Sequence, residues 1–219
     1  KQDIRVLPIP EPVQRFDPQI RLEKLSKNLF EIGRMASRQA LQEDLWPVGE
    51  GEAHARLKSF IESSLQEYSA QRDFPALHGT SRLSPYLAAG TLSPRQCLAA
   101  ILQSQERPQT LPDFSSSAGT WLNELVWRDF YSHVLVAFPR VCKGLPFQLI
   151  TEKVKWRYDE DNLQAWKDGL TGYPIVDAAM RQLKQTGWMH NRLRMITAMF
   201  FSKDLPLDWR EGEKWFMQN

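Results

Sequence analysis

Apolar residues along this chain recur mostly at helical spacing. Between 19 and 45, Ile20, Leu22, Leu25, Leu29, Ile32, Met35 and Ala36 fall largely on one face. Residues 52–71 repeat the pattern with Ala53, Leu57, Phe60, Ile61, Leu65 and Tyr68. Ser84-Pro85 and Ser93-Pro94 each read as an N-cap followed by a first-turn proline, with Gly90 as a stop between them. The second of these opens a helix through Leu98, Ile101 and Leu102. A polar break from Ser115 to Gly119 precedes a long helix from about Trp121 to Phe138, ended by Pro139. Pro174 opens a helix through Ile175, Val176, Ala179, Met180 and Leu183 that Gly187 stops, and another runs from about Met189 to Ser202 before Pro206. Asp208 caps a last amphipathic helix through Trp209, Trp215 and Phe216 to Asn219. With no strand alternation and no internal repeat, the expected class is all-α, its site built from helix ends and loops. Residues 1–18 carry Pro8, Pro10, Pro12 and Pro18 without a periodic apolar pattern and read as an interdomain linker, which leaves 19–219 as one helical domain. A chain that opens in a linker and stops inside a helix reads as part of a longer protein.

Composition narrows the class without naming a function. Of 219 residues, 42% are hydrophobic and 25% charged, which suits an ordinary folded core. No apolar run approaches the roughly 20 residues of a membrane span, and no signal peptide opens the chain. Cys97 and Cys142 have no metal-ligand spacing, nor do the histidines at 54, 78, 133 and 190. These features lead to the expectation of a cytoplasmic protein with reduced thiols and no metal site; a monomer is expected as well, though no feature of the composition bears on it. A net charge of +2 does not announce a nucleic-acid partner. The distribution says more, because 181–203 carry Arg181, Lys184, Arg192, Arg194 and Lys203 and no acid, a local patch able to hold phosphates. Eight tryptophans are more than cores usually spend, and indoles stack on planar ligands as readily as they fill space. GxSxG, HExxH, CxxC and GxGxxG are all missing, so the common hydrolytic, metalloprotease, thiol-redox and dinucleotide-loop chemistries have no support.

Three clusters remain as candidates. Thr80-Ser81-Arg82-Leu83-Ser84-Pro85 places hydroxyls and a guanidinium at a helix start, which suits a phosphate or, more plainly, a helix cap. On the long helix, Trp121, Glu124, Trp127, Arg128 and Tyr131 share one side, and Leu122, Val126 and Phe130 share the other. The second side reads as core. The first suits the wall of a cavity for a planar polar ligand, or else a Glu124–Arg128 pair wrapped in aromatics. The third cluster, Trp188 to Met195, sets Arg192 and Arg194 at a helix start, where cations are disfavoured unless a phosphate or carboxylate compensates. His190 by itself reads as structural.

In this order the clusters resemble the photolyase/cryptochrome family. The strings are GTSRLSP at 79–85, WLNELVWRDFY at 121–131, GYPIVDAAM at 172–180, GWMHNRLR at 187–194 and DWREGE at 208–213. The likeness runs from about Glu67 to the end and is greatest to the bacterial folate-antenna branch that acts on cyclobutane pyrimidine dimers. It implies the helical FAD-binding domain of that family, truncated, and light-driven electron transfer from reduced FAD to a dimer flipped out of DNA. It further implies that Tyr68, Thr80, Ser81, Arg82, Leu83, Ser84, Trp121, Asn191 and Arg194 hold FAD. Glu124, Trp127 and Met195 would meet the dimer, and Arg72, Arg128 and Arg192 would lie near the DNA backbone. Trp156 and Trp209 would relay electrons to the flavin. An antenna chromophore, methenyltetrahydrofolate by the same likeness, belongs to an N-terminal domain outside this sequence, and the family's Asp-Gly-Asp flavin contacts and flavin-proximal tryptophan are also missing from it. A signalling cryptochrome and a non-catalytic helical nucleic-acid-binding module are the alternatives. A (6-4) photolyase fits less well, since its histidines are replaced by Asn191 and Met195.

Overall fold

A computed structural model describes residues 45–105 and 110–219. The linker assigned to 1–18 lies outside these residues, as does the helix expected over 19–45 except for Leu45, which sits in a turn. Among the described residues the fold is helical, with one isolated bridge between Arg157 and Leu207 in place of any strand.

Helix α1 (Glu50–Ser63) starts at Gly49 and carries Glu50 and Glu52 in its first turn, where acids favour the helix dipole. The single helix expected over 52–71 is broken. The Ser64 and Leu65 amides both donate to the Phe60 carbonyl, which widens the last turn and drops Leu65 into the core. One further turn, α2 (Tyr68–Gln71), follows. Helix α3 (Ser84–Ala89) is capped by Leu83 rather than Ser84, which is its first residue, and Gly90 ends it at φ 76°. Helix α4 (Pro94–Gln103) opens with a reciprocal capping box between Ser93 and Gln96.

Helix α5 (Ser117–Ala137) begins earlier than the apolar pattern suggested, because the Ser116 hydroxyl accepts from the Gly119 amide. Gly119 is required: an added Cβ would lie 2.0 Å from the Asp113 carbonyl oxygen. After short 3-10 turns at Val141–Lys143 and Leu149–Lys153 comes α6 (Glu160–Asp168), which the apolar pattern missed, capped by Asp159 and closed by Gly169. Helices α7 (Pro174–Thr186) and α8 (Asn191–Met199) follow, the latter loosening into a π turn over Phe200–Asp204. Helix α9 (Trp209–Gln218) is capped by Asp208.

Two apolar clusters organise these elements. The first gathers Leu57, Phe60, Leu83, Ile101 and Trp121 from α1 to α5, and the second gathers Trp166, Met180, Leu183, Phe201 and Leu207 from α6 to α9. Trp46 joins them, packing on the first while its indole N–H donates to the Thr186 carbonyl at 2.9 Å. One expectation fails on α5. Leu122 is buried, but Val126 and Phe130, read as core, are 51% and 50% exposed, because no described element packs over that part of the helix. Among the described residues no helix is long and apolar enough to cross a membrane, and no group of three His, Cys, Asp or Glu could hold a metal.

Asp177 anchors the turn before α7. Its carboxylate accepts from the Thr171 amide and hydroxyl and from the Gly172 amide. Burial alone would push this carboxyl up, but the bonds from Thr171 and Gly172, with Arg181 nearby, outweigh it and hold it below the ordinary value. A lowered folded-state value means stability that is present above the ordinary carboxylate range and lost as pH falls through the folded value. Asp177→Asn should therefore destabilise the neutral protein and flatten its decline between about pH 5 and pH 2. Urea midpoints across that range check this, and parallel acid limbs for both proteins would contradict it.

Candidate functional site

A cavity of about 580 Å³ opens between the two clusters. Its volume falls within the ~300–1,000 Å³ of ordinary ligand sites. The loop before α3 contributes Thr80, Ser81, Arg82, Leu83 and Ser84. Tyr68 comes from α2 and Leu87 from α3. Trp121, Glu124, Leu125, Trp127, Arg128 and Tyr131 come from α5, and Trp188, Met189, Asn191 and Arg194 from the start of α8 and the loop before it. All nine residues assigned to FAD from the sequence line this one space, as do Glu124, Trp127 and Arg128. Leu87 and Leu125 were not singled out; as single apolar residues they carry no signal beyond core.

The inner wall is fixed by packing. Phe60 lies 5.8 Å from the Tyr68 ring and 4.9 Å from Trp121, so one buried aromatic backs both cavity aromatics. Burial pushes the Tyr68 phenol up to about 12, with Arg72 opposing and Glu124 and Asp73 adding to the rise, so it stays protonated. Arg82 is held at φ 50°, a left-handed conformation that costs a non-glycine residue about 1–3 kcal/mol and is typical of sites the surroundings over-determine. Its guanidinium lies 4.9 Å over the Trp188 ring and bonds the His78 imidazole. At the mouth, Trp127, Phe130 and Tyr131 form a contiguous aromatic group, with Tyr131 stacked on Trp127 at 5.9 Å. Trp127 is 46% and Tyr131 60% exposed, open to a ligand from solvent.

The charges are unevenly paired. Glu124 bonds Arg72 at 2.6 Å, not Arg128 one turn along, whose guanidinium donates instead to the Leu87 carbonyl. Among the described residues, cavity-lining Arg82, Arg128 and Arg194 have no carboxylate partner. Burial holds the Arg194 guanidinium below its ordinary value, and it lies over the Phe216 ring at 5.0 Å. With Glu124 as the one carboxylate lining the space among the described residues, the cavity is a net-positive chamber walled by aromatic faces and hydroxyls. Such a chamber suits a ligand that is both anionic and planar.

Elsewhere the acid-free run is less free than its sequence implied. Arg181 bonds the Gly169 carbonyl and lies 3.9 Å from Asp177, Lys184 pairs with Asp168 at 2.7 Å, and Arg192 pairs with Asp73. The compensating anion for the α8 start is thus a carboxylate, Asp73. His190 is buried, and its Nδ1 accepts from the Arg192 amide to cap α8. Met195 is exposed beside Asn191 and does not line the cavity, nor do Arg72 and Arg192. Trp156 precedes α6 and Trp209 opens α9; both are half-buried and away from the cavity lining.

The profile of the family described as the FAD binding domain of DNA photolyase matches residues 121–219. The deoxyribodipyrimidine photo-lyase of Escherichia coli K12 is 56% identical over 180 residues, which are 82% of this chain and 37% of that protein. The crystal structure of a bacterial class III photolyase from Agrobacterium tumefaciens matches with a TM-score of 0.73 at 43% identity, covering 80% of this chain and 36% of that one. A Synechocystis cryptochrome matches with a TM-score of 0.67 at 35% identity, over 77% and 34%. The chain therefore spans little more than a third of the length of these relatives. The chain belongs to the photolyase/cryptochrome family, and the helices around its cavity are part of that family's FAD-binding domain.

Proposed function

We propose that this chain holds FAD in the cavity and serves the light-driven repair of cyclobutane pyrimidine dimers in DNA. The observation that carries the reading is the chamber itself: three guanidiniums without carboxylate partners among the described residues, set among tryptophans, tyrosines and hydroxyls. A dinucleotide with two phosphates and two planar rings needs that combination. When bound and photoexcited, reduced FAD supplies the electron that splits the dimer. Thr80, Ser81, Ser84 and Arg82 would hold its phosphates, with Arg194, Asn191, Tyr68 and Trp121 on its ring-bearing parts. Trp127 and Glu124, one helical turn apart at the mouth, offer a stacking plate and a hydrogen-bond acceptor to an extruded pyrimidine. Arg128, Arg72 and Arg192 supply the positive charge that the DNA backbone requires.

Repair is favoured over signalling by the identity to relatives, 56% to the Escherichia coli deoxyribodipyrimidine photo-lyase against 35% to the cryptochrome. The methenyltetrahydrofolate antenna, a monomeric state and a cytoplasmic location complete the proposal, with no residue of this chain assigned to the antenna. Illumination of the full-length protein with dimer-containing oligonucleotide tests it: repair in blue light and none in the dark is expected, and binding without repair would favour the cryptochrome reading. Trp209 and Trp156 are proposed as relays by which bound flavin is photoreduced. In Trp209→Phe most packing area remains, so stability should fall by only about 1–2 kcal/mol, while photoreduction slows sharply and repair from chemically reduced flavin survives. Flavin bleaching at the wild-type rate would return Trp209 to a packing role.

A further inference from the structure

A chain of charges leads from the cavity wall to the surface. Glu124 bonds Arg72 at 2.6 Å, the Arg72 Nε lies 3.8 Å from the Asp73 carboxylate, and the same Asp73 oxygen bonds the Arg192 guanidinium. Arg72 is fixed further by lying 5.5 Å over the Tyr68 ring. Asp73 thus serves two arginines at once, one leading inward to Glu124 and one outward on the first turn of α8. The inward pair is largely covered, whereas Asp73 and Arg192 are 52% and 40% exposed, within reach of a macromolecular polyanion.

Resting on the function proposed above, we infer that Asp73 is a specificity-determining residue that lets the site discriminate dimer-containing DNA from undamaged DNA. It does so in two ways. Toward the surface, its carboxylate occupies Arg192 where a backbone phosphate would otherwise bind. Every DNA must displace it, so this contact lowers charge-driven binding to all duplexes alike, and the preference for damage then rests on what the extruded base gains in the cavity. Toward the cavity, Glu124 bonds Arg72 directly while Asp73 attracts the same guanidinium from 3.8 Å, and this second charge, with the Tyr68 ring beneath, biases where Arg72 holds the Glu124 oxygen at the mouth. Asp73 therefore weakens binding that reads only charge and supports binding that reads the extruded base.

Asp73→Asn and Asp73→Glu in the full-length protein test this, with binding measured over a salt series to one duplex, undamaged or carrying a single thymine dimer. In Asp73→Asn, undamaged duplex should bind roughly fivefold tighter, with a salt slope steeper by about 0.9, the release accompanying one more phosphate contact. Dimer-containing duplex should gain less, so the preference for damage falls, and repair per bound complex falls with it. Asp73→Glu keeps the charge and should keep the wild-type slope and most of the preference. A wild-type slope in Asp73→Asn overturns the inference, as does equal tightening on both duplexes, which would be a charge effect without positioning. A wild-type protein with no preference for the dimer would instead sink the repair reading, while the slope on undamaged duplex would still report whether Asp73 shields Arg192.

Discussion

Glu124→Ala in the full-length protein should lose roughly ten- to a hundredfold of its dimer repair while retaining flavin, the equivalent of the about 1.5–3 kcal/mol carried by a buried hydrogen bond to a charged group. Glu124 stands on α5 between Trp121 and Trp127, its carboxylate partly covered and aimed along the cavity wall by Arg72. Alanine is a strong helix former, so α5 should persist. Arg72 keeps Asp73 as a partner and the Tyr68 ring beneath it, so the surrounding structure has little cause to collapse. The loss should thus appear in repair and in preference for damaged DNA rather than in stability. Repair yield measured per absorbed photon checks this, and a yield equal to wild type would remove Glu124 from contact with the pyrimidine.

The largest effect on stability is expected at Trp166. It is fully buried at the centre of the second cluster, 4.5 Å from the Phe201 ring and 5.5 Å from Phe216. Its indole N–H donates to the Thr197 carbonyl at 3.1 Å, tying α6 to α8. Trp166→Ala should cost about 3–5 kcal/mol from lost burial and the remaining cavity. For a domain of this size that lowers the melting temperature by about 6–20 °C. Trp166→Phe should recover a good part of this without the hydrogen bond. Because Phe216 faces both Trp166 and the cavity guanidinium of Arg194, flavin should also dissociate more readily from the alanine variant. Thermal unfolding checks the ranking; a loss below about 1 kcal/mol would show that the cluster closes over the missing indole.

Much of this was legible because caps and periodicity agree. Asp208, Ser93 and Gly187 mark helix ends in the sequence and do so in the structure. Helix α6 was hidden because so short a segment shows only Leu163, Ala165 and Trp166, too few positions to establish a period. The break at 64–67 was hidden because Leu65 keeps the apolar rhythm while the backbone leaves the helix to bury it. At the site, spacing of about 100° per residue placed Trp121, Glu124, Trp127, Arg128 and Tyr131 together, and all five line the cavity. The same logic assigned Val126 and Phe130 to a core that no described element completes. Charge was the poorest guide. The acid-free run from Arg181 to Lys203 reads as a bare patch, yet Asp73, Asp168 and Asp177 reach its cations from outside that run. Pairs such as Arg192 with Asp73, 119 residues apart, are set by tertiary packing that no local pattern encodes.

That this cavity is a flavin site is tested most directly by the visible absorption spectrum of the purified full-length protein, with the cofactor released and counted. One FAD per chain is expected, with blue absorbance that sharpens on binding and is lost, at unchanged fold, when Arg82 and Arg194 are both replaced by alanine. A folded protein that carries no flavin and takes none up from added FAD would contradict it.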